Sequence, residues 1–118
     1  MSESKYDLSF LRRVSNEDQV FIIDMLETFR KTAPGILDKM DAYMKQKKYE
    51  ALGREAHKFI PGVTFLGVKD LKRDLIDIEE KAKNLENLES LPELLIRIRK
   101  NVESLIQSFI DDFDLKPC

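Results

Sequence analysis

Four stretches of this 118-residue chain repeat apolar residues every three to four positions, and that period suits packed helices and nothing else. "VKDLKRDLIDIEEKAKNL" places them at Val68, Leu71, Leu75, Ile78 and Ala82, and "SLPELLIRIRKNVESLIQSFIDDF" at Leu95, Ile98, Val102, Leu105 and Phe109. "SNEDQVFIIDMLETFRKTAP" does the same with Ile22, Met25, Leu26, Phe29 and Ala33, and "YEALGREAHKFIPGVTFLG" with Leu52, Ala56, Phe59, Val63 and Leu66. A helix with one apolar stripe must lay it against another helix. The expected fold is therefore all-α: an antiparallel up-and-down four-helix bundle with a short extra N-terminal helix. Only 4 Gly and 4 Pro interrupt the chain, which agrees with long helices and one domain over residues 1–118. Disordered ends are expected at about 1–5 and 114–118.

Punctuation residues set the boundaries. Asp7 is placed to cap a first helix over roughly Asp7 to Val14, with Leu8, Phe10 and Leu11 on it. Ser15 and Asp18 nearly match a capping box for the next helix. Pro34 interrupts that helix, and "PGILDKMDAYMKQKK" continues either as a separate helix or as the second half of one kinked rod. Gly67 suits a left-handed helix stop.

Composition removes several function classes. A net charge of -2 and a pI near 5.5, with no basic block beyond "KQKK" at 45–48, argue against nucleic acid. One cysteine, Cys118, and one histidine offer neither a disulfide nor a metal cluster. No signal-peptide or membrane-spanning run is present, so a cytoplasmic protein is the expectation, and the start at Met1 with the short tail after Phe113 suggests a free-standing one. The glycines form no phosphate-binding loop, so neither ATP nor another cofactor is expected.

What remains is His57. At about 100° per residue it lies roughly 100–160° from the apolar stripe of its helix, beside Gly53, Pro61 and Thr64. The imidazole should project into water. Interior Gly and Pro cost a helix about 1 and 3 kcal/mol, and Pro61 removes the N–H that would meet the His57 carbonyl. A bend at the histidine, and open access to it, are the expectations. Arg54 and Lys58 flank it at about 60° and 100°. Taken alone, a surface histidine is an ordinary solvated residue.

The spacing says more. "AHKFIPGVTFLG" resembles the signature of histidine-containing phosphotransfer (HPt) domains: Ala56 and His57, then Phe59, Leu66, Gly67 and Leu71 fall in the family's slots. "YDLSFLRRVSNEDQVFIIDMLETFRKTAPGILDKM" is similar to the usual opening of such domains, and the likeness runs from about Tyr6 to Leu85. The resemblance implies a four-helix bundle acting as a phosphorelay carrier rather than an enzyme. His57 would be the phosphoacceptor, taking a phosphoryl group from a receiver-domain aspartate and passing it to another receiver. The implied partners are response-regulator receivers or a hybrid sensor histidine kinase, with Mg²⁺ in the receiver and a monomeric carrier.

Two positions depart from the family pattern. Ile60 stands where a lysine is usual and Pro61 where a glycine is usual. Either Arg54 or Lys58 supplies the missing cation, or phospho-His57 is less stabilised and shorter-lived; an inactive, HPt-like bundle is a third reading. On the second helix, Val20 and Ile23 add apolar surface opposite the main stripe. Either Leu8 and Leu11 of the short helix cover it, or these residues form part of a receiver-docking patch. The alternative function is a bundle-type adaptor or dimerisation module whose histidine is incidental.

Overall fold

The computed structural model describes residues 6–116. Helices α1 (Ser9–Val14), α2 (Gln19–Lys45), α3 (Tyr49–Phe65) and α4 (Lys69–Asn84) follow in order, and a 3₁₀ turn at Leu88–Ser90 leads into α5 (Leu91–Phe113). No strand occurs among the described residues. Helix α2 packs on α3, α3 on α4, α4 on α5, and α5 back on α2. Short links reverse the chain each time, so the expected four-helix bundle with a small N-terminal helix is the fold found. The 27 residues of α2 rise about 40 Å, which matches the 42 Å long axis of the molecule.

The apolar stripes read from the sequence form the core. Ile22, Leu26, Phe29 and Ala33 meet Leu52, Ala56, Phe59 and Val63, with Leu75, Ile78, Ile98, Val102, Leu105 and Phe109 closing the other side. Phe29 stacks on Phe59 at 5.8 Å between ring centroids and meets Phe109 edge-on at 6.1 Å, joining three helices through one ring. Two arginines of α5 fasten its neighbours. Arg97 grips Asp74 of α4 through two hydrogen bonds of 3.0 and 2.9 Å, and Arg99 reaches Asp38 and Asp41 of α2 at 2.9 and 2.8 Å.

Pro34 lies inside one continuous α2, so of the two readings the single rod holds. Other boundaries differ from expectation. Asp18 alone caps α2, accepting the N–H groups of Val20 (3.0 Å) and Phe21 (3.3 Å). The Ser15 hydroxyl turns back to the Arg12 carbonyl instead. The reason is local: Asn16 and Glu17 both take positive φ, so the chain reverses between Ser15 and the helix start. Of the two ends expected to be disordered, residues 1–5, 117 and Cys118 lie outside the described residues. Leu115 does not fit that expectation, being buried with its N–H bonded to the Ile110 carbonyl at 3.0 Å.

The N-terminal segment crosses the far end of α3. Asp7 donates its N–H to the Leu66 carbonyl at 3.0 Å, and its carboxylate accepts both the N–H (2.9 Å) and the hydroxyl of Ser9. So Asp7 does help start α1, although the helix begins at Ser9. Underneath, Gly67 closes α3 in a Schellman turn, with its N–H on Thr64 O (3.1 Å) and that of Val68 on Val63 O (3.4 Å). Gly67 has φ +66°, and a Cβ there would sit 2.2 Å from the Asp7 carbonyl oxygen. Tyr6 completes the strap. Its ring meets Phe109 at 4.8 Å and its hydroxyl donates to Asp112; burial first, and then Asp112, holds the phenol well above its ordinary pKa.

Gly67→Ala adds both a left-handed penalty and a backbone clash, and is expected to lower stability by about 2 kcal/mol or more. Gly62→Ala meets nothing within 4 Å and is expected to be neutral or stabilising by up to about 1 kcal/mol. Urea titration of the two variants checks the contrast.

The hydrogen bonds from Ser9, then the nearby Lys69 and Arg12, hold the Asp7 carboxyl below its ordinary pKa. A lowered folded-state pKa gives stabilisation that is complete above the unfolded value and fades as pH falls through the folded one. The strap should therefore loosen below about pH 4. Amide exchange at Ser9 should rise there before the core helices lose protection.

Candidate functional site

The face of α3 that carries Leu52, Ala56, Phe59 and Val63 is fully engaged in the core, which forces His57 to the outside. Its side chain is 70% exposed. The helix runs on through Pro61 to Phe65, so the proline does not end it. Its missing N–H leaves the His57 carbonyl without the usual partner one turn on. Thr64, also exposed, places its hydroxyl on the Ile60 carbonyl at 2.9 Å.

The sequence reading missed the most specific contact of the site. Nδ1 of His57 lies 2.9 Å from Oε2 of Glu79 on α4. A carboxylate at Nδ1 selects the tautomer that carries its proton there, leaving the Nε2 lone pair facing solvent. A signal was present. Glu79 sits four residues after Leu75 and three before Ala82, so a charge borders the apolar stripe of α4 where that helix meets α3. Only the pairing of the two helices says which α3 residue it faces.

Gly53 is not part of the open surface expected around His57. It is buried against α4, where an added Cβ would make ordinary contact with Ala82 Cβ and the Glu79 carbonyl, both at 3.6 Å. Periodicity put it on the outer flank because the sequence does not say on which side α4 lies. Pro61 and Thr64 do share the exposed face with His57. Arg54 is exposed but engaged, with Nη1 2.7 Å from Glu50 Oε1 one turn before. Lys58 is exposed and has no ion pair among the described residues.

The four residues considered for docking separate into two groups. Leu8 and Leu11 are 3% and 1% exposed, so they belong to the core and cannot form a docking patch. The short helix buries them by turning its i and i+3 positions inward. Val20 is 78% exposed and Ile23 is half-buried. Phe10 and Phe65, which the sequence reading did not place on the surface, are both exposed with ring centroids 5.4 Å apart, and the Arg13 guanidinium stands 5.9 Å from the Phe10 ring. Phe21 is exposed near Val20 at the start of α2.

Among the described residues no group of three or more His, Cys, Asp or Glu is arranged to hold a metal ion. No helix among them is long and apolar enough to cross a membrane. The chemistry on offer is one oriented nucleophilic nitrogen on an open surface.

Glu79→Ala is expected to move neutral His57 toward the form protonated at Nε2, while Glu79→Gln, which keeps an acceptor oxygen, should hold the Nδ1–H form. The ¹⁵N shifts of the two ring nitrogens report this directly. Identical spectra for the wild type and Glu79→Ala would show that the contact sets no tautomer.

The protein-family model described as Hpt domain matches residues 24–108, from within α2 to within α5. No curated protein and no solved structure is similar enough to the chain to count as a match.

Proposed function

The chain belongs to the Hpt domain family, which carries out histidine phosphotransfer in phosphorelays, and from that premise we propose that it is a phosphorelay intermediary whose carrier residue is His57. The reading rests on one observation above all: an exposed imidazole with Nδ1 2.9 Å from Glu79 Oε2, which leaves Nε2 as the nitrogen to attack. In this role Nε2 takes the phosphoryl group from an aspartyl phosphate on one receiver domain, and a second receiver's aspartate later removes it.

Phosphoryl transfer needs in-line positioning and charge neutralisation more than acid–base chemistry. A neutral imidazole supplies its own lone pair, so no general base is required. The receiver, with its Mg²⁺, brings most of the remaining groups, and the carrier works without a cofactor or ATP site. Partners are response-regulator receivers or a hybrid sensor histidine kinase, met in the cytoplasm by a monomeric bundle. Docking uses Val20 and Phe21 together with Phe10 and Phe65 in place of Leu8 and Leu11. An adaptor with an incidental histidine would use the same aromatic surface, but it gives the Glu79 contact no task.

The test is transfer from a panel of receiver domains charged with a small-molecule phosphodonor. Wild-type protein should acquire an acid-labile, base-stable label from at least one receiver, and His57→Gln should acquire none. Label that persists on His57→Gln would place the acceptor elsewhere. A folded wild type that is never labelled would favour the adaptor.

A further inference from the structure

His57 stands at the midpoint of α3, eight residues from Tyr49 and eight from Phe65, so about 12 Å of helix extends on either side of it. The Phe10–Phe65 pair occupies one end. At the other end a shallow groove of about 570 Å³ opens between the α2–α3 turn and the end of α4, and Lys47, Lys48, Tyr49, Arg54 and Leu85 line it. Its two lysines belong to the basic run at 45–48, which the carrier role leaves without a task.

The fold itself does not call for these side chains. Lys47 (φ +58°) and Leu85 (φ +55°) both take the left-handed conformation just past the ends of α2 and α4, where glycine or asparagine is the ordinary choice. Leu85 is the one apolar residue with positive φ among the described residues, and at 63% exposure it adds little to the core. Lys45 already supplies the cation that suits the negative end of α2. Lys47 and Lys48 are exposed and have no ion pair among the described residues. Arg54 and Glu50 neutralise each other at 2.7 Å, so the groove sets two uncompensated lysine charges beside an exposed leucine.

Resting on the carrier role above, we infer that this groove is a second receiver contact, and that it selects a receiver whose facing rim carries carboxylates around an apolar side chain. An interface of ordinary size covers about 800 Å² per partner, a disc roughly 30 Å across. Centred on His57, such a disc reaches the Phe10–Phe65 patch on one side and the groove on the other. The aromatic patch suits any apolar surface. The lysines discriminate, because opposite charge steers a partner in and like charge turns it away.

The test uses the full chain and the receiver that labels wild-type His57, and divides each transfer rate by the same protein's labelling rate with phosphoramidate, which needs no receiver. Lys47→Asn and Leu85→Asn keep residues suited to the two left-handed turns, so urea titration should find both at least as stable as wild type. At low salt and limiting receiver, Lys47→Asn combined with Lys48→Gln is expected to slow transfer about tenfold. The loss should vanish at saturating receiver, and also at about 1 M salt, where the screening length is about 3 Å. Leu85→Asn should slow transfer about fivefold at either salt concentration. Unchanged or faster transfer by the lysine variant at low salt, or a loss that persists at saturating receiver, overturns the proposal. A wild type that neither phosphoramidate nor any receiver labels removes the carrier role instead, and the proposal with it.

Discussion

The packing of α4 along one flank of α3 is the contact on which the site depends. Together with α2, whose Phe29 stacks on Phe59, it encloses the apolar stripe that runs through Ala56 and Phe59, and so turns His57 outward. The same contact brings Glu79 to Nδ1 and covers Gly53. A shift of α4 by one turn would move the carboxylate about 5 Å along the axis and leave the imidazole free to choose its tautomer. Exposure, orientation and the direction of Nε2 therefore share one structural cause.

Much of this was legible in the sequence because helix period and burial are local properties. The stripe residues Leu52, Ala56, Phe59, Val63 and Leu66 are all buried, and His57 is exposed where the period placed it. What stayed hidden depends on which helix lies beside which. Gly53 and His57 are one turn apart on α3, and a helical projection treats them as neighbours on one open face. Only the position of α4 makes one of them interior. Glu79 was obscured for the same reason, since its partner is 22 residues away in sequence and on another element.

Local chemistry was also ambiguous where two signals competed. Pro34 allowed a break or a single rod and Pro61 announced a bend, and α2 and α3 continue through them. Each helix is long enough, and buries enough apolar surface on its core face, to absorb the loss of one backbone hydrogen bond. Leu8 and Leu11 show the opposite case. A helix of six residues has too little surface of its own to be stable, so its leucines have to be spent on the core, and what it can present outward is Phe10.

The crossing of Asp7 over Gly67 has a consequence for the order in which the molecule assembles. The Leu66 carbonyl and the left-handed turn beneath it come into being only when the end of α3 has formed. Tyr6 needs a surface made later still, near Phe109 and Asp112 of α5. The stretch around Tyr6 and Asp7 thus has no place to dock until α3 and α5, which follow it in the chain, have formed. Closing it joins distant parts of the described chain, which makes this strap the last clasp to shut and the first to open.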